Sequence, residues 1–105
     1  MKQPNIGNIM KQAQKMQADM ARVQEELSAE IVEASVGGGV VKVSMTGDMV
    51  VQSVHIDPAA LDPNDIGMLE DMVTAAVNEA VRQAQEVASS KMASVTGGMN
   101  IPGLM

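Results

Sequence analysis

At 105 residues, with 46% apolar side chains, the chain has room for one domain with a core and is too apolar to be a disordered polypeptide. It contains no Cys, which excludes a disulfide framework, a thiol nucleophile and a thiolate metal site. The net charge of −6 argues against a polyanionic partner, yet the charge is unevenly placed. Residues 1–18 carry Lys2, Lys11 and Lys15 and no acid, whereas residues 23–33 carry Glu25, Glu26, Glu30 and Glu33 and no base.

The core must be built without aromatic rings, since Phe, Tyr and Trp are absent and eleven Met stand beside many Val and Ala. Aromatic side chains bury the most area per residue, and Met specifies packing weakly, so a single chain of this composition gains from association. No run approaches the roughly 20 apolar residues that cross a bilayer. Met1 to Lys15 is polar and Gln-rich, unlike a signal peptide, so a cytoplasmic chain with no membrane partner is expected.

Taken in order, residues 8 to about 29 read as a long helix, with Pro4 and Gly7 in its lead-in and Asn5 or Asn8 as cap. Ile9, Ala13, Met16, Met20, Val23 and Leu27 are spaced 4, 3, 4, 3, 4, a heptad seam. Such a helix is roughly 30 Å long, more than strands of roughly 17–20 Å can cover. Part of it must project, or another chain must cover it. In the heptad frame Lys11 falls at f, and Lys15 and Arg22 at c, all away from the seam. Gln12, Gln14 and Gln17 interleave with the lysines and are suited to donate to phosphates.

Glu30 to Val36 reads as a first strand, followed by Gly37-Gly38-Gly39. Val41, Val43 and Met45 alternate with Lys42, Ser44 and Thr46, the mark of a half-buried second strand. Thr46-Gly47-Asp48 supplies a turn in which Gly is expected to take positive φ, and Val50, Val54 and Ile56 continue a third strand. Asp57-Pro58 and Asp62-Pro63 end the sheet. Asn64 or Asp65 caps a second helix with a broad apolar stripe from Leu69 to Val87. Within it, Ala76, Ala80, Ala84 and Ala88 form a row of small side chains that lets another backbone approach closely. From Ser89 the signal fades into Ser, Gly and Pro. One α+β domain over residues 1–90 is therefore expected, α-β-β-β-α with a three-stranded antiparallel sheet, and residues 91–105 as a flexible tail.

Signals for catalysis are thin. His55 is the single histidine, and with Asp57 two residues on it makes too few ligands for a zinc or iron site. Gly37-Gly38-Gly39 precedes a strand rather than a helix, so no helix N-terminus is at hand to hold a phosphate. Glu25-Glu26 and Glu70-Asp71 are helix neighbours pointing about 100° apart, which does not make an acid/base dyad. No catalytic residue, metal site or cofactor is expected.

Five stretches together resemble the YbaB/EbfC family of bacterial nucleoid-associated proteins: MKQAQKMQ at 10–17, GGGVVKVSMTGD at 37–48, HIDP at 55–58, MLEDMVTAAVNEA at 68–80 and KMASVTGGMNIPGLM at 91–105. They cover nearly the whole chain in the family's order. The resemblance implies a tweezer-like homodimer whose first helices project as arms, non-enzymatic, on the nucleoid, binding duplex DNA with little or limited sequence preference. It carries Lys11 and Lys15 over as DNA contacts, to which Lys2 and Arg22 are added on charge grounds. Ala76, Ala80 and Ala84, with Val77 beside them, are expected at the dimer interface. The chain departs from the family at Asp48, Gln83 and Gln85, each of which lowers positive charge, so weak and salt-sensitive binding is expected. The alternative is a protein-interaction module that takes a partner helix on the Met-rich seam, Met10, Met16 and Met20.

Overall fold

A computed structural model describes residues 6–97. Helix α1 spans Ile6–Ala29, strands β1, β2 and β3 span Ile31–Val36, Val41–Thr46 and Val51–Ile56, and helix α2 spans Ile66–Gly97. A short 3-10 turn at Pro58–Ala60 follows the sheet, where Asp57 accepts the Ala59 N–H at 2.9 Å. The order is the α-β-β-β-α read from the sequence, and the molecule is elongated, 77 × 26 × 17 Å.

The strands form an antiparallel meander in the order β1-β2-β3. β2 is central, and its alternation turns Val41, Val43 and Met45 towards α2, where all three are buried. Ala34 pairs with Val43 on the same face, and Ala76, Ala80 and Ala84 of α2 close the core over them. The opposite face is polar, carrying Glu33, Ser35, Lys42, Ser44, Ser53 and His55. A β-bulge between Ser44 and Met45 resets the register, so Met45 faces Val51.

Both hairpins depend on backbone that favours glycine. Gly37, Gly38 and Gly39 all have positive φ, at 63°, 74° and 98°. The β2–β3 turn differs from expectation: Met49 takes the left-handed conformation, φ 68°, and Gly47 does not. Gly47 serves a close approach instead, because a Cβ there would lie 2.9 Å from the Leu27 carbonyl oxygen. Its N–H donates to Glu30 O at 2.8 Å, stitching the turn to the end of α1. The buried Thr46 hydroxyl donates to Asp48 and accepts the Val50 N–H, so this turn is satisfied by its own side chains.

Asp65 is the cap of α2, accepting the Met68 N–H at 3.2 Å. The helix does not fade at Ser89 but runs on to Gly97, so the boundary expected at residue 90 falls inside it. Val95 is buried with Val23 and Leu27, and Val87, Ala88 and Met92 pack against them. This second small core is why the helix persists: its last turns have an apolar face to cover. Residues 98–105, the remainder of the expected tail, lie outside the described residues, as does Asn5.

Candidate nucleic-acid interface

Only Val23 and Leu27 of α1 are buried, so the helix is anchored by its last two turns. The remainder, Ile6 to Arg22, about 24 Å long, has no buried side chain among the described residues, and Met16 and Asp19 alone are partly covered. α2 runs antiparallel to the anchor, since Val87, Ser90 and Lys91 surround Glu30, and Lys91 reaches Glu30 at 3.3 Å and Glu26 at 3.8 Å. Among the described residues, the seam of α1 thus has two halves, one covered by α2 and one largely exposed.

Lys11 and Lys15 are exposed on the bare half, one helical turn apart, and among the described residues neither forms an ion pair. Arg22 is exposed as expected but engaged: Asp19 holds it at 3.4 Å and Glu26 at 3.7 Å. A phosphate must compete with two carboxylates for that guanidinium. Lys2 lies outside the described residues.

The other cations divide the same way. Arg82 is clamped between Glu79 at 2.6 Å and Glu86 at 3.0 Å. The hydrogen bond from Arg82 holds the Glu79 carboxyl below its usual range, and the same bond raises the guanidinium. Lys91 is taken by Glu26 and Glu30. Lys42 is exposed and unpaired among the described residues, on the polar sheet face opposite His55. Lys42 did not enter the expected DNA-contacting set, although the period-2 alternation already placed it on an outward face. His55 is exposed, and Asp57 is occupied as the cap of the 3-10 turn.

The expected dimer interface needs correction. Ala76, Ala80 and Ala84 have no exposed surface in the single chain, because they pack on its own β1 and β2. The alanine row does admit a close backbone, but that backbone is the sheet below it. Val77, at the edge of the same core, stays partly exposed. The uncovered surface lies elsewhere. α2 crosses β1 and β2 and leaves β3 bare, with Val51 at 45% and Val54 at 46% exposure on the face that bears the core. Met49, Val50 and Leu61 extend this apolar ground, and β3 is also an open sheet edge with no charged residue or Pro.

The described residues thus form a helix-flanked three-stranded meander with a projecting, sparsely basic helix. The family model of the YbaB/EbfC DNA-binding family matches residues 1–99, and the chain belongs to that family. It is 54% identical over 101 residues to a nucleoid-associated protein of Alkaliphilus metalliredigens, covering 96% of this chain and 89% of that one. It is 52% identical over 101 residues to a nucleoid-associated protein of Acetivibrio thermocellus, covering 95% and 89%. An uncharacterized protein from Helicobacter pylori, known by crystal structure, shares the fold with a TM-score of 0.69 at 20% identity, over 86% of this chain and 91% of that one.

Proposed function

We propose that this chain is a nucleoid-associated protein that binds duplex DNA, with little sequence preference, through Lys11 and Lys15 on the projecting α1 helices of a homodimer. The observation that carries the reading is the sorting of the cations: two unpaired lysines stand together on the α1 arm, Lys42 on the sheet is the one other unpaired cation among the described residues, and Arg22, Arg82 and Lys91 are neutralised by neighbouring carboxylates. Family membership supports DNA as the polyanion. The acidic body does not oppose it strongly, since the bare arm is about three times the roughly 8 Å Debye length at physiological salt.

The dimer is proposed to form over β3, whose bare apolar face and open edge are self-complementary about a two-fold axis. Two arms then act together, and bivalency supplies affinity that two lysines alone do not. With four phosphate contacts per dimer the binding constant should fall with a log–log salt slope of about −3.6.

The test is titration of dye-labelled duplex DNA at several salt concentrations, the label being on the DNA because the chain has no Trp or Tyr. Lys11→Glu with Lys15→Glu should abolish binding while circular dichroism and mass stay unchanged; unchanged affinity in that variant refutes the reading. A second reading draws on the bare apolar half of α1, which suits a partner helix. Absence of DNA binding even at low salt would favour it.

A further inference from the structure

The bare half of the α1 seam has a geometry that selects its occupant. Ile6, Ile9 and Met10 are 70%, 53% and 57% exposed, and Met20 is exposed as well, on a helix whose seam continues into the covered residues Val23 and Leu27. Among the described residues, the cover that α2 gives ends with the helix at Gly97. Spacings of 4 and 3 residues in strict alternation make a narrow seam, the width that suits a helical partner. In this frame Ile9 and Met16 stand at d and Ala13 and Met20 at a. Lys11 and Lys15 point outward from f and c.

We infer that the bare seam of α1 pairs antiparallel with the same seam of a second copy, joining two projecting arms. An antiparallel pair brings an a position of one helix against a d position of the other. Here that sets Ala13 against the Met16 position of the second copy, a small side chain facing a long flexible one, and Ile9 against the Met20 position. The flanking positions agree. Met10 and Gln17 stand at e and meet each other, while Gln12 and Asp19 stand at g and meet each other. No like charges are opposed. Ile6 reaches the level of the second copy's Val23 position, where that copy's own α2 takes over the cover. A parallel pair would instead stack Ala13 on its equivalent and bring both α2 helices to the same end of the seam. Lys11 and Lys15 stay on the outside of the pair.

The inference rests on α1 being a projecting arm, and it deepens the proposed function, because joined arms would link one dimer to the next. Two different two-fold contacts in one molecule generate an open chain rather than a closed ring.

The test uses the full chain without DNA, so its failure is separate from failure of DNA binding. The chain has no native thiol. Ala13→Cys and Met16→Cys chains are mixed and oxidised, with Gln14→Cys mixed with Met16→Cys as an outward-facing control. The inference requires the mixed Ala13→Cys with Met16→Cys disulfide to exceed the control and the self-links at least several-fold. A dominant Ala13→Cys self-link would mean parallel pairing, and yields equal to the control would mean no pairing; either overturns it. As a second measurement, Ile9→Gln with Met16→Gln should raise the concentration needed for arm association about tenfold or more in sedimentation equilibrium; no shift overturns it. In a Val54→Lys background the arms alone join two chains, so loss of the β3 contact and loss of the arm contact are read separately.

Discussion

Two residues of this chain matter for reasons their chemistry alone does not announce. Gly47 sits where the β2–β3 turn meets the end of α1, with space for hydrogen but none for a methyl group. Gly47→Ala drives a Cβ against the Leu27 backbone, and overpacking of this kind costs about 1–3 kcal/mol. The urea midpoint should fall accordingly with an unchanged m-value. Arg22 is the reverse case, a cation in the right place but already occupied. Asp19→Asn removes its carboxylate at 3.4 Å and should steepen the DNA salt slope by up to about 0.9 per arm. An identical slope would mean that Arg22 never reaches phosphate.

At the scale of elements, α1 and α2 hold each other through a core of a few side chains. Leu27→Ala opens that core and should lower stability by about 2–5 kcal/mol, with hydrogen exchange accelerated along α1 before the sheet. Much of this architecture is legible in the sequence, and the reasons are local. Val41, Val43 and Met45 alternate because a central strand has one buried face, and the heptad seam of α1 marks a helix that needs a helical neighbour. The misreadings are equally physical. A row of Ala states that something comes close without saying what, and the nearest partner proved to be the chain's own sheet. Ser89, Ser90 and Gly97 obscured the end of α2, although Val87 and Val95 lie eight positions apart, on nearly one helix face. β3 alternates like a covered strand, yet cover depends on where α2 crosses, which no residue of β3 records.

For the whole molecule, the proposed dimer would cover apolar surface that one chain leaves exposed on β3, Val51 and Val54 among it. If β3 is the dimer contact, adding Val54→Lys to a chain whose arm contact is already removed by Ile9→Gln with Met16→Gln should halve the mass in sedimentation equilibrium and weaken DNA binding by at least about tenfold through loss of bivalency. The native chain should also show a melting temperature that rises with protein concentration, and that triple variant should not. A flat Tm in the native chain would place its stability within the single copy.

The long bare helix has a hydrodynamic consequence. The radius of gyration is 20.7 Å, whereas a compact chain of this length has about 13 Å. A single copy therefore drags through solvent like a considerably heavier sphere, and on a gel-filtration column it elutes early enough to pass for an oligomer. Closing the arms against one another changes the frictional ratio as well as the mass, so a shift in elution volume mixes two events. Only a method that weighs the particle independently of its shape can count the chains in this protein.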